Sequence, residues 1–278
     1  MELDVFHLFL WEPFALEGTP FAINRVVLLM YVAALACILF FLIGARKAAV
    51  RPKGFGLVAE SAYRLVRDNI AIDVIGPQGV KYAPLLATMF WFIFFANFLE
   101  ITPGVNFPVT SRMALPALLA LLSWIVFNVV GIAKNGLGYF KETLFPPGVP
   151  WPVYILLTPI ELASVFIIRP LTLAIRLFAN MMAGHVLLTV FFLFTEDLLL
   201  HAAPALKPLG IITFLVACLL VVFELMVIVI QAYIFTTLTA FYIAEALHGH
   251  GEHGEEHAHA GADHELEGFP GEEALARA

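Results

Sequence analysis

Long apolar runs separated by short polar loops dominate this chain. Runs at residues 24–44, 82–101 and 113–133 each approach the roughly 20 residues that cross the hydrocarbon of a bilayer as a helix. We therefore predict three membrane-crossing helices at these positions.

Two later runs, residues 153–194 and 209–247, are too long for a perpendicular crossing. At about 1.5 Å per residue each helix would exceed the roughly 30 Å of hydrocarbon by a wide margin. Such helices must tilt or bend, and Pro159 and Pro170 lie where the first could bend. The pattern predicts two long, steeply tilted helices.

Residues 54–75 have a different pattern, with apolar side chains at helical spacing and charged ones between them. This favours an amphipathic helix on the cytoplasmic surface over another crossing. The predicted fold class is therefore an all-α polytopic membrane protein, with about five membrane-crossing helices and one amphipathic surface helix.

The composition excludes most soluble classes. The chain has 278 residues, 61% of them hydrophobic and 13% charged, against about 25% charged residues in soluble domains. Cys37 and Cys218 lie inside apolar segments, so neither a disulfide framework nor a zinc site is predicted. No P-loop motif GxxxxGK[ST] occurs, and we predict no cofactor, no metal and no nucleotide or nucleic-acid site in this chain.

Charge sets the predicted orientation. Arg46, Lys47, Arg51 and Lys53 follow the first run directly, which places its end in the cytoplasm by the positive-inside rule. Residues 1–23 are then an extracytoplasmic segment and 24–247 a single transmembrane domain. Five crossings place the carboxyl terminus in the cytoplasm.

The tail, residues 248–278, accounts for the net charge of −7. It is rich in histidine, glutamate and glycine, and such a composition predicts a disordered, solvated cytoplasmic tail. Weak metal binding by its histidines stays open as a second interpretation.

Arg176 lies in the middle of a long apolar run, where an ionised group costs several kcal/mol. An arginine does not lose its proton in practice, so it is a fixed positive charge. The plain alternative is an ion pair within the bundle, but Glu161, Glu224 and Glu100 all lie nearer a membrane edge. We therefore expect its partner on another subunit.

Other polar residues are ordered around this arginine. Thr172 and Asn180 share its helical face, and Gln231 faces it if the last two helices run antiparallel at that level. His185 would then lie about 13 Å outward of Arg176, at a depth similar to that of Glu224.

A histidine beside a glutamate can relay protons near neutral pH, and Glu100 and Asn97 lie where they could feed such a relay from outside. On the cytoplasmic side, Glu161 and Tyr242 line a second half-depth path. For single residues such as Asn97 or Thr172, an ordinary hydrogen bond between helices is an equally good interpretation.

Two segments carry a resemblance to a known family. RPLTLAIRLFANMMAGH (169–185) with FELMVIVIQAYIFTTLTAFYI (223–243) closely resembles subunit a of the F-type ATP synthase, bacterial type, and FFANFLEITPG (94–104) resembles an earlier segment of it. The resemblance covers nearly the whole chain. One departure is an extra residue between Glu161 and Pro170 relative to many members.

The resemblance implies that Arg176 is the essential arginine between two aqueous half-channels, with Asn180, Gln231 and Thr172 supporting it. It implies an outer proton path along His185, Glu224, Glu100 and Asn97, and a cytoplasmic path along Glu161 and Tyr242. The implied function is a proton-conducting stator subunit that couples proton flow to rotation and ATP synthesis, and is no enzyme by itself.

The implied partners are a rotor ring of c subunits, peripheral-stalk b subunits, the F1 sector indirectly and the lipid bilayer. The implied location is a bacterial plasma membrane. Two alternatives stay open. An ion-coupled secondary transporter with an intramembrane arginine predicts inverted repeats, none of which is visible. A purely structural assembly subunit predicts that leucine can replace Arg176 without loss of transport.

Overall fold

The structure is a computed structural model that describes residues 24–46, 54–136, 138–139, 144–145 and 151–248. Most of these residues are helical, and no β-strand occurs among them. The predicted extracytoplasmic segment 1–23 and residues 249–278 of the predicted tail lie outside the described residues.

Seven main helices follow one another along the described chain. They are α1 Arg25–Arg46, α2 Phe55–Val66, α3 Ala83–Phe98, α4 Ala114–Asn135, α5 Trp151–Ala163, α6 Arg169–Glu196 and α7 Lys207–His248. Helix α2 continues through a π-helical turn, Arg67–Ile72, into the short helix Asp73–Ile75.

Four of these helical stretches are long and apolar enough to cross a membrane, within the part of the chain that the structure describes. They are Arg25–Arg46, Ala114–Asn135, Pro152–His201 and Pro204–Leu247. Helix α3 is also apolar but has only 16 residues, because the chain turns after Phe98. The predicted fold class, an all-α polytopic membrane protein, is confirmed.

The described residues form two compact units. The first, unit 1, contains the described residues up to Trp124 together with Arg169–Phe241. The second, unit 2, contains the described residues of Ile125–Ile168 and those from Tyr242 to His248.

In unit 1, helices α1, α2 and α3 pack against one another. The ring of Phe40 on α1 stacks on Trp91 of α3 with 5.5 Å between centroids, and the indole Nε1 of Trp91 donates to the carbonyl of Ala62 on α2, 3.1 Å away. Gly44 and Ala59 let α1 and α2 approach closely, since a Cβ at Gly44 would collide with that of Ala59. Small residues thus set the spacing of this corner.

The apolar side chains of the amphipathic segment, residues 54–75, are partly buried and partly exposed. Ala62, Val66 and Ile70 are buried within unit 1, whereas Leu57 and Val58 are exposed. The exposed pair Glu60 and Arg64 forms an i,i+4 salt bridge on the polar side. The apolar stripe read from the sequence therefore serves partly as a packing face.

Unit 2 is held by contacts at helix ends. The ammonium of Lys134 on α4 donates to the carbonyl of Leu247, which satisfies an orphan acceptor in the last turn of α7. The hydroxyl of Thr158 on α5 donates to the carbonyl of Leu144 at 3.2 Å. Phe127 packs against Tyr242 with 5.5 Å between ring centroids.

A π-helical turn, Ser164–Ile168, joins α5 to α6. It lies inside the interval from Glu161 to Pro170 where the sequence has its extra residue. A π turn holds more residues per turn than an α-helix, so it can accommodate one inserted residue without ending the helix. Pro159 is accommodated inside α5.

Candidate functional site

Helices α6 and α7 run antiparallel within unit 1. The amide Nδ2 of Asn180 donates to Oε1 of Gln231 at 2.6 Å, and the hydroxyls of Thr195 and Thr213 are 3.1 Å apart. Later residues of α6 thus meet earlier residues of α7. Gln231 is thus bonded to Asn180, one helical turn beyond Arg176, and its predicted place opposite Arg176 stays a prediction.

Three ionisable side chains from three elements meet in a buried cluster, here called the carboxylate–histidine cluster and formed by Glu100, His185 and Glu224. They are 4%, 7% and 3% exposed. Nδ1 of His185 lies 3.6 Å from Oε1 of Glu100. The carboxyl groups of Glu100 and Glu224 lie close enough to interact electrostatically.

Gly184 makes room for this cluster. A Cβ at Gly184 would collide with the carboxylate of Glu224, so that carboxylate lies directly against the backbone of α6. Only a residue without a side chain lets α6 and α7 hold Glu224 at this position. Gly184 is therefore part of the site, although no sequence pattern singled it out.

The loop between α3 and α4 completes the surroundings. Asn97, at the end of α3, is fully buried, and its Oδ1 accepts a hydrogen bond from the hydroxyl of Thr110. The ring of Phe107 meets the imidazole of His185 edge to face, with 5.5 Å between centroids. The predicted outer residues Asn97, Glu100 and His185 thus come from one corner of unit 1.

A cavity of about 560 Å³ adjoins the cluster. Arg25, Glu100, His185 and Thr189 supply its polar lining side chains, together with Asn106. Nη2 of Arg25 donates to the carbonyl of Val105 at 2.7 Å, which ties the start of α1 to the loop. The cluster therefore borders a space large enough for several water molecules.

Several buried polar atoms of this site have no hydrogen-bond partner among the described residues. They are both carboxylate oxygens of Glu100, Oε1 of Glu224, Nδ2 of Asn97 and Nε2 of Gln231. Buried polar groups are normally paired, and exceptions concentrate where a site binds water, an ion or a proton. Two carboxyl groups beside an imidazole form a set that can pass a proton from one member to the next.

Arg176 has different surroundings. It lies on α6 and is exposed, as are Thr172 and Asn180 one turn before and one turn after it. Arg176 makes no hydrogen bond or ion pair with another residue of the described ranges. The arginine therefore faces outward from unit 1, with its charge open to a partner.

Glu161 and Tyr242 both belong to unit 2. Glu161 is half-buried on α5, and Tyr242 is half-buried near the end of α7, where it packs against Phe127. Their predicted role in a cytoplasmic path stays a prediction.

The sequence alone did not indicate three residues of this corner: Arg25, Thr110 and Gly184. Arg25 directly precedes an apolar run, a place where snorkelling arginines are common, and Thr110 lies in a loop where hydroxyl side chains are common. Their importance comes from the folding of the loop onto α6, which no local pattern records. Within the described chain, no three histidine, cysteine or acidic side chains are arranged to hold a metal ion.

Comparison with known proteins decides the family. The sequence model described as ATP synthase A chain matches residues 26–244. The chain belongs to the ATP synthase subunit a family. It is thus a multi-pass membrane subunit of the ATP synthase complex, as the resemblance in its two signature segments implied.

Individual members of the subunit a family are similar over most of their length. ATP synthase subunit a of Parafrankia sp. (strain EAN1pec) is 45% identical over 92% of this chain and 87% of its own length. That of Frankia alni is 43% identical over 96% and 92%, and that of Hyphomonas neptunium 38% over 88% and 96%. The family match does not favour the secondary-transporter alternative.

Proposed function

We propose that this chain is the proton-conducting stator subunit of an F-type ATP synthase, in which two half-channels deliver protons to and from a rotor ring and Arg176 separates them. The observation that carries the proposal is the contrast on α6: a buried carboxylate–histidine cluster beside a cavity, and an outward-facing arginine without a partner in the described chain.

The outer half-channel runs through the cavity and the cluster. A proton enters the cavity from outside, binds Glu100 or His185, and passes to Glu224. The 3.6 Å separation of His185 and Glu100 supports this step, since a small side-chain movement or one water joins the two atoms. Both carboxylate oxygens of Glu100 and Oε1 of Glu224, which have no hydrogen-bond partner among the described residues, are the acceptors that such a transfer needs.

Arg176 lies nine residues before His185 on α6, or about 13 Å along the helix axis. A carboxyl group of a ring subunit is attracted to Arg176 once that carboxyl group has released its proton. The ring carboxylate moves past Arg176 only in this ionised form. A proton approaching a fixed cation in a medium of low dielectric is repelled, which prevents a direct leak. Asn180, bonded to Gln231, and Thr172 shape the same face of α6.

The cytoplasmic half-channel includes Glu161 and Tyr242. Their half-buried side chains offer a carboxylate and a phenol that can exchange protons with water. Protons leave the ring past these groups to the cytoplasm. Each charge that crosses 100 mV supplies about 2.3 kcal/mol, so several protons must pass for each ATP.

The remaining assignments follow the same proposal. The ring of c subunits contacts the outward face of α6, peripheral-stalk b subunits hold the chain, and the F1 sector contributes the ATP chemistry. The membrane is a bacterial plasma membrane, with the amino terminus outside and the carboxyl terminus in the cytoplasm. The charges after α1 support this orientation.

The decisive experiment measures ATP-driven proton pumping and passive proton leak in vesicles that contain the assembled complex. Arg176→Ala is expected to abolish pumping and raise the leak, whereas Arg176→Lys, which keeps the charge, is expected to keep the leak low. Arg64→Ala, which removes an exposed arginine of α2, is the matched control. Normal pumping by assembled Arg176→Ala complexes would reject the proposal and favour a purely structural subunit.

A further inference from the structure

A second, smaller cavity lies in unit 1 between the first turns of α1 and α4. Its volume is about 190 Å³, and its walls include Val27, Met30, Val109, Leu115 and Leu118. It shares no lining residue with the cavity beside His185. We call it the α1–α4 groove, and the proposed proton route does not use it.

Arg112 is the charged residue that lines the α1–α4 groove. It is half-buried, and burial lowers the pKa of its guanidinium from the ordinary value of an arginine. Asn24 also lines the groove, and its Oδ1 accepts a hydrogen bond from the backbone N–H of Val27 at 3.0 Å. One cation thus lines a groove whose other walls, apart from Asn24, are apolar.

The position of the groove matches the layers of a bilayer. Arg112 precedes the crossing helix α4 by two residues, which puts it at the level of the lipid headgroups. Leu115 and Leu118 lie one and two turns further along α4, toward the hydrocarbon. Leu118 is 59% exposed, so one wall of the groove lies on the surface that acyl chains cover.

These features favour one occupant. A guanidinium presents a planar fork of N–H donors that fits the oxygens of a phosphate diester, and its charge is complementary to that group. A cavity of about 190 Å³ accommodates part of one acyl chain but not another protein helix. We propose that the α1–α4 groove binds an anionic glycerophospholipid, with its phosphate on Arg112 and one acyl chain along Leu115 and Leu118.

The test uses the purified ATP synthase complex in phosphatidylcholine vesicles. Each vesicle preparation contains a trace of either phosphatidylglycerol or phosphatidylcholine with a photoactivatable diazirine in one acyl chain. Labelling of the peptides that contain Met30 or Leu118 is then measured by mass spectrometry. The phosphatidylglycerol probe should label these peptides about fivefold more than the phosphatidylcholine probe, the ratio expected from about 1 kcal/mol per basic residue near anionic lipid.

Three variants distinguish recognition of the lipid headgroup from binding of the acyl chain in the groove, and a fourth is the control. Arg112→Gln should remove the preference for phosphatidylglycerol, and Arg112→Lys should keep most of it. Leu118→Trp should fill the groove from its exposed wall and reduce labelling by both probes there. Arg64→Gln, an exposed arginine of α2 outside the groove, should change nothing.

Two results would overturn the proposal: equal labelling by both probes in the unchanged complex, or a preference that survives Arg112→Gln. Labelling spread evenly over the exposed apolar surface of α1 and α4 would do the same. If Arg112→Gln prevents assembly, Leu118→Trp still decides, because unchanged labelling of the Met30 peptide would contradict a lipid in the groove. None of these readouts depends on proton pumping.

Discussion

Two ionisable residues on α6, His185 and Arg176, differ in whether their partners lie within the chain. His185 is buried and meets Glu100 within the chain, and Gly184 beside it leaves space for the carboxylate of Glu224. Arg176, nine residues earlier, is exposed and has no partner in the described residues. An ionised group inside a membrane needs compensation, so the first site is complete within the chain and the second requires another molecule.

The largest effect on pumping is expected from a substitution that gives Arg176 an oppositely charged partner within the chain. Asn180→Asp introduces a carboxylate one turn away on the same exposed face. Two unit charges about 6 Å apart at an effective dielectric near 20 attract strongly enough to shift an equilibrium about a hundredfold. We therefore expect pumping in assembled vesicles to fall by about that factor, because Arg176 becomes neutralised within the chain.

Asn180→Ser, which is uncharged and likewise lacks the amide donor to Gln231, is the control for that substitution. It should retain most of the pumping activity. If both variants lost the same fraction of the pumping rate, the loss would come from the missing hydrogen bond to Gln231 and not from neutralisation of Arg176.

The cluster should respond next most strongly. His185→Gln keeps a polar side chain but removes an imidazole that can both accept and donate a proton. Pumping should fall about tenfold, less than for the loss of a lone acid–base group, because Glu100 and Glu224 remain. The pH dependence of the pumping rate should also differ from that of the unchanged complex, because one acid–base group of the proton path is missing.

His201→Gln removes a histidine of the same helical stretch that is exposed and pairs with Asp197. Its pumping rate and pH dependence should match those of the unchanged complex. A pH profile that is the same in all three complexes would remove His185 from the proton path.

A smaller effect is expected from Gly184→Val, which places a side chain where the carboxylate of Glu224 lies. Overpacking of this kind costs about 1–3 kcal/mol, and the displaced carboxylate should also slow pumping. Thermal unfolding of the detergent-solubilised complex measures the first effect. Gly138→Val is the control, because no atom lies within 4 Å of a Cβ there.

The sequence predicted the helices better than it predicted their contacts. Hydrophobic run length located α1, α4 and the long α6 and α7, because crossing a bilayer imposes a minimum length on each. The end of α3 was predicted less well. The apolar run continues to Ile101, but the chain turns after Phe98 and only this turn brings Glu100 toward His185.

The functional site, like the fold, was predicted only in part from the sequence. An isolated arginine in an apolar run is visible from sequence, because its cost in lipid does not depend on details of packing. The similar depth of His185 and Glu224 was predicted from helix rise, whereas the hydrogen bond from Asn180 to Gln231 was not predicted. Gly184 and Thr110 acquire their roles only from contacts between segments distant in sequence, which no local pattern contains.

The smallest expected effect is on stability, and it tests the hydrogen bond between Asn180 and Gln231, which lies between Arg176 and His185 along α6. Asn180→Ala removes the donor to Oε1 of Gln231, a side chain that is only 1% exposed and whose Nε2 already has no partner among the described residues. Leaving a buried amide without its bond costs about 1 kcal/mol, so the unfolding midpoint of the solubilised complex should fall slightly. Thr172→Ala, on the same exposed face, should leave the midpoint unchanged. If both substitutions lowered it equally, the Asn180–Gln231 bond would not be what fixes α6 against α7. The difference between the closed cluster and the open arginine would then rest on apolar packing alone.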